Sequence, residues 1–206
     1  MATKRKSTRR GRQESPNGSA LLMMELQQIH SAENQLAREL PRFAKVVESG
    51  ALRRMMEQRM KQGERLIEDV SSALDALDGG ARGAKNSAAE GLIKDTREHV
   101  QRMQPGAARD AVLTAGIQKT EHYCIAAWGT ARSLAQATGQ RNAVKAMERA
   151  LKEGKTLDER LSAIAERELT PTLLGATEEE AESSRGRARG RPRGRARSRR
   201  RKQTRH

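Results

Sequence analysis

Residues 118–130 read Q-K-T-E-H-Y-C-I-A-A-W-G-T. They sit inside a long helical pattern. Its apolar seam runs Leu113, Ile117, Cys124, Trp128 and Ala131, and Glu121 fills the gap between Ile117 and Cys124. Steps of four, three and four residues hold these positions on one face of a helix. A carboxylate therefore stands in line with side chains that a packed helix buries. There it must be paired, protonated or bound to a cation, because an isolated buried charge is too costly.

The first helical segment repeats the arrangement. Leu22, Leu26, Ile29, Glu33, Leu36, Leu40, Phe43 and Val47 alternate steps of four and three, so Glu33 is also a seam residue. Two helices that each aim a glutamate inward are the elementary part of a carboxylate-bridged metal site in a helix bundle.

The rest of the chain supplies the other helices. The first runs from near Ser19 to before Gly50, with a kink or break expected at Pro41, which lacks an N–H and crowds the preceding turn. The second covers about 51–78, with Ser49 as its cap and Gly79-Gly80 as its end. Its expected seam is Met56, Met60, Gly63, Ile67, Val70, Leu74 and Leu77. Residues 79–110 form a crossover with a short helix near 86–104. Two further helices follow, about 108–138 and 141–168, with Pro171 as the stop. Hairpin, long crossover, hairpin is the ferritin-like form of the four-helix bundle, so the fold class is all-α. Hydrophobic residues make up 35% and aromatic residues 1%, which argues against a sheet protein. The expected division is a disordered basic tail over 1–18, a bundle over 19–170, and a disordered tail over 171–206 that is Arg-rich from 185.

Charge divides the chain the same way. Residues 1–20 carry +5 and residues 183–206 carry +12, which leaves 21–182 at −2 of the total +15. The single cysteine, Cys124, excludes an intramolecular disulfide. The basic N-terminal stretch is followed by no apolar region of the secretory kind, and no apolar run approaches a membrane span. The expectation is a cytoplasmic protein with no membrane partner, associated with the nucleoid if its tails hold DNA.

Four segments carry a resemblance: L-Q-Q-I-H-S-A-E-N-Q-L (26–36), A-E-G-L-I (89–93), Q-K-T-E-H-Y-C-I-A-A-W-G-T (118–130) and L-K-E-G-K-T-L-D-E-R-L (151–161). Over about residues 21–168 the chain resembles the YciF-type ferritin-like proteins of bacteria. The resemblance implies a homodimer, a stress-linked role and a di-iron site. Glu33 and Glu121 match the single-glutamate positions of helices one and three. Asp158 matches an acidic position on helix four, Glu90 matches the glutamate of the E-G-L-I segment, and Glu64 stands in a ligand place on helix two. The departures are Lys61 at the other ligand place of helix two, Gly154 for an acid on helix four, and Cys124 for a glutamate after E-H-Y.

Two readings of the carboxylates stay open. They hold iron in a di-metal site, or they hold no metal and are satisfied by Lys61, His122, Tyr123 or each other. Cys124 reads as a small buried hydrophobe. The C-terminal stretch R-G-R-A-R-G-R-P-R-G-R-A-R-S-R-R-R-K carries a separate chemistry. Arg189, Gly190, Arg191, Pro192 and Arg193 resemble the core of the AT-hook, with Ala188 in place of its first proline. Arg187, Arg195, Arg197, Arg199, Arg200, Arg201 and Lys202 extend the charge. Such a tail binds DNA, or RNA, by releasing counterions whatever the order of its residues. The functional reading is a ferritin-like stress-associated protein with a degraded di-metal site, tethered to nucleic acid. Its competitors are a working di-iron oxidase or iron-handling protein, and an architectural DNA-binding dimer.

Overall fold

The computed structural model describes residues 17–80 and 85–175. Five helices occupy them: α1 (Gly18–Val46), α2 (Gly50–Asp75), α3 (Ser87–Gln101), α4 (Ala107–Ala137) and α5 (Arg141–Ile164). One π-helical turn, Ala165–Leu169, follows α5, and helical backbone continues through residue 175. No described residue is in a strand. The stretches 1–16 and 176–206, which hold both cationic tails, lie outside the described residues.

Short polar side chains start the first three helices. Asn17 Oδ1 accepts from Ala20 N at 2.9 Å, Ser49 Oγ from Leu52 N at 3.2 Å, and Asn86 Oδ1 from Ala89 N at 2.9 Å. Each pairs a donor that the first turn otherwise leaves unbonded. Gly139, at φ +72°, closes α4 in the left-handed conformation that glycine adopts without strain.

Neither a break at Pro41 nor a stop at Pro171 is found. The helix α1 runs through Pro41 without interruption. Leu36, Leu40 and Phe43 stay buried on either side of the exposed ring, and that packing holds the turn. Pro171 does not end the last helix. It follows the π turn, where the i→i+4 ladder that a proline breaks is already interrupted.

The helices α1, α2, α5 and α4 form a four-membered ring of neighbours, and α3 lies outside it against α4 and α1. Gly18 at the start of α1 lies beside Thr138 at the end of α4. Asp110 at the start of α4 reaches Glu48 and Ser49 at the end of α1. Thus α1 and α4 are antiparallel, and α2 and α4 are parallel, as the long crossover requires. This is the all-α ferritin-like bundle. Asn86 locks the crossover in place: its Nδ2 donates to Gln28 O at 3.0 Å and to Tyr123 Oη at 2.7 Å.

The α1–α2 corner is held by one buried carboxylate. Asp110 accepts from the backbone N–H of Glu48 at 3.1 Å and of Ser49 at 2.6 Å. Ser49 Oγ in turn donates to Glu168 Oε1 at 2.6 Å, in the π turn. Asp110→Ala leaves those backbone donors unpaired and should cost at least about 2 kcal/mol in a urea titration. Gln136→Ala, on the exposed side of the same helix, should stay within about 0.5 kcal/mol. Equal effects would mean that Asp110 does not organise the corner.

Candidate functional site

The seam of α2 decides what the two glutamates meet. Its buried positions include Leu52, Met56, Arg59, Gly63, Leu66, Val70 and Leu74. The expected seam is right at Met56, Gly63, Val70 and Leu74 and one residue late at Met60 and Ile67, which are half-buried. Correcting it places Arg59 in the core, on the same kind of position that Glu33 holds on α1 and Glu121 on α4.

These three residues form one cluster with 1–2% of each exposed. Arg59 donates from Nη2 to Glu33 Oε1 at 2.9 Å and from Nη1 to Glu33 Oε2 at 3.0 Å, a fork-to-fork pair. Its Nε donates to Glu121 Oε2 at 2.7 Å. The Trp128 ring lies 5.5 Å from the guanidinium carbon, so a π face also meets the cation. On α2, α4 and α5 the cluster separates two apolar groups. Leu66, Trp128 and Ala150 lie on one side, and Met56, Ile117 and Leu157 on the other.

Two glycines make the room. A Cβ on Gly63 would stand 3.1 Å from Arg59 Nη1 and 3.3 Å from Glu33 Oε2. A Cβ on Gly154 would stand 2.5 Å from Trp128 Cζ3 and 2.7 Å from Glu121 Oε1, inside contact distance. Helices α2 and α5 therefore bring backbone, not side chains, to the carboxylates at these points.

The cluster sets its own electrostatics. Burial disfavours the Arg59 charge, but Glu121 and Glu33 together hold the guanidinium even more firmly protonated than usual. Burial raises the Glu121 carboxyl above its ordinary range, with Arg59 opposing and Glu33 and Asp158 adding to the rise. Its Oε1 accepts no hydrogen bond from the described residues. Cys124, the neighbour on the seam, is 2% exposed and burial pushes its thiol well up, which keeps it from being a reactive thiolate.

The other residues singled out in the sequence are elsewhere. Lys61 and Glu64 are on the exposed face of α2. Glu90 is exposed and pairs with Lys85 at 2.8 Å. Asp158 is half-buried, accepts from Gln118 Nε2 at 3.2 Å and stands 3.3 Å from His122 Nε2. Tyr123 is engaged with Asn86. So the structure brings together Glu33 and Glu121 but joins neither Glu64 nor Glu90 to them. None of Lys61, His122 or Tyr123 answers the carboxylates; Arg59 does. Its signal was present in the sequence as the alternating four-three register from Leu52 to Val70.

A two-iron centre needs about six protein ligands, including a carboxylate–histidine pair from each of two helices. Here both Glu33 oxygens and one Glu121 oxygen are held by a guanidinium. The facing positions on α2 and α5 are glycines, and the described residues contain no group of three or more His, Cys, Asp or Glu placed to hold a metal. These residues do not fit a two-iron centre.

Removing Glu33 leaves two N–H groups of a buried guanidinium unpaired. Glu33→Ala should cost about 3–5 kcal/mol, whereas replacing all three residues by Glu33→Leu, Arg59→Met and Glu121→Leu should be near neutral or stabilising. Urea titrations of the two variants check this, and equal losses would show that the cluster is not self-contained. Gly154→Ala should destabilise by about 1–3 kcal/mol through overpacking, although alanine is the better helix former.

Comparison with known proteins places this bundle. Residues 18–174 match the family described as a domain of unknown function, DUF892. Protein YciF of Escherichia coli (strain K12) is 32% identical over 141 residues, covering 68% of this chain and 85% of YciF. The crystal structure of that stress protein superposes with a TM-score of 0.68 at 30% identity, covering 73% of this chain and 96% of that one. A putative structural protein from Rhodopseudomonas palustris, YcfI, gives the same TM-score and coverages at 25% identity. The chain belongs to the DUF892 family and is a YciF-like ferritin-fold protein.

Proposed function

We propose that this chain is a stress-associated, ferritin-like scaffold that its basic tails tether to nucleic acid, with a degraded di-metal site at its centre. The observation that carries the tether is the division of charge. The segment 21–182 is at −2, while 1–20 carries +5 and 183–206 carries +12. A bundle at −2 exerts little pull on a polyanion, whereas twelve cations in 24 residues pull strongly. The stress association comes from the likeness to YciF, whose structure is described as that of a stress protein. The bundle pairs two copies in a homodimer, which doubles the tails available to one stretch of DNA. A role for the bundle as scaffold, not oxidase, is supported by Arg59, which occupies the carboxylates that iron chemistry requires.

The tether works by neutralising phosphates and releasing their counterions. If about 6–10 charges of the tail meet phosphates, affinity should fall roughly 10³–10⁵-fold between 50 and 200 mM salt. Deleting 183–206 should abolish most binding and leave helicity and dimerisation unchanged, as read by fluorescence anisotropy, circular dichroism and sedimentation. Undiminished binding by the shortened chain would overturn the tether. The hook is tested separately. Arg189 and Arg191 read a narrow A·T groove only if Gly190 lets the backbone approach its floor. A·T duplexes should then bind more tightly than G·C duplexes at equal salt, and Gly190→Val should erase the difference without changing the salt slope.

A further inference from the structure

We infer that Glu33 and Glu121 form a cation-binding pair whose resident cation is the chain's own Arg59, a guanidinium delivered from α2 in place of a metal ion. The inference rests on reading the bundle as a scaffold with a degraded di-metal site, and it names what replaced the metal.

Four elements build the seat. Helices α1 and α4 each supply a carboxylate, and three hydrogen bonds of 2.7–3.0 Å run to them from one guanidinium. Helix α2 supplies the cation and, one turn on, Gly63, which leaves Nη1 its space. Helix α4 adds Trp128 against the guanidinium, and α5 adds Gly154, where a side chain would displace both Trp128 and Glu121. The cation is as buried as its carboxylates, so water screens none of the interaction. A surface arginine that had folded inward by chance would not be matched by two side-chain-free positions on two different helices. The arrangement also sets an order of preference. A divalent ion reaching this pair must first expel a fixed fork already bound to three of the four carboxylate oxygens, so the native chain excludes it. The attraction of the two carboxylates for a cation is not lost but answered.

That has a direct test. Arg59→Ala removes the internal cation and opens its volume while keeping both carboxylates. Manganese(II) is the probe, because it accepts carboxylate and water oxygens and is visible by electron paramagnetic resonance. The Arg59→Ala chain should bind about one Mn²⁺. At a hundredfold excess over Kd its melting midpoint should rise by about 5–10 °C. The native chain and the Glu33→Leu, Arg59→Met, Glu121→Leu chain should show no such rise. If Arg59→Ala does not fold alone, refolding is done with and without Mn²⁺, and recovery of helicity only with the metal is the expected result. The proposal is overturned if the Arg59→Ala chain neither binds Mn²⁺ nor refolds with it. It is equally overturned if the native chain gains a midpoint shift that Glu33→Gln with Glu121→Gln removes. Two firmly bound irons in the native chain would sink the scaffold reading as well. A negative Arg59→Ala result would leave that reading and the tether untouched.

Discussion

A carboxylate taken out of water on a packed helix face has to be answered by a cation. Two helices of this bundle impose that requirement at one level, through Glu33 and Glu121. Much of what is unusual in the core follows from how it is met. The answering charge is on α2, so α2 must carry an arginine where its seam would otherwise be apolar. The guanidinium is wide and flat, so the next turn of α2 must be a glycine. Trp128 covers the cation, so α5 must give up its side chain at Gly154 for the indole and Glu121 to fit. Substitutions here are therefore coupled, and the effect of each depends on whether the others are still present.

The fold was legible because its signals are periodic. The seams of the first and third long helices were read correctly through Glu33 and Glu121. The cap at Ser49 fell where local chemistry puts it. The central cluster was half legible. Both carboxylates were seen, and a buried salt bridge was weighed against a metal. The partner was missed because arginine usually keeps its head in water, so Met60 was preferred to Arg59 as the seam residue. Lys61, two residues on, is one of the partners the sequence leaves open for the carboxylates, and the structure places it on the exposed face. The rule that corrects this is to let an inward carboxylate on one helix promote a basic residue on its neighbour to a core position. Pro41 and Pro171 failed for a different reason. Local geometry predicted breaks, and tertiary packing in one case and a widened turn in the other absorbed them.

Ferritin-like bundles that hold two metals draw their central cohesion from an ion that must be acquired. Here the cation is covalently part of the chain. The pairing of Glu33 and Glu121 with Arg59 therefore needs no cation from outside the chain. The cost is chemical. A guanidinium stays protonated, carries no redox state and offers no coordination position, so what this cluster supplies is charge and hydrogen bonds.

That trade bears on where function can reside. A bundle whose central carboxylates are taken by Arg59, and whose segment 21–182 carries only −2, exerts little pull on a distant polyanion. The tails have the opposite character. From 185 to 197 arginine alternates with glycine, alanine and proline, and residues 1–20 and 183–206 together carry +17. If the tails hold nucleic acid as proposed, stability and attachment lie in different stretches of chain, with little shared sequence through which a change in one must alter the other.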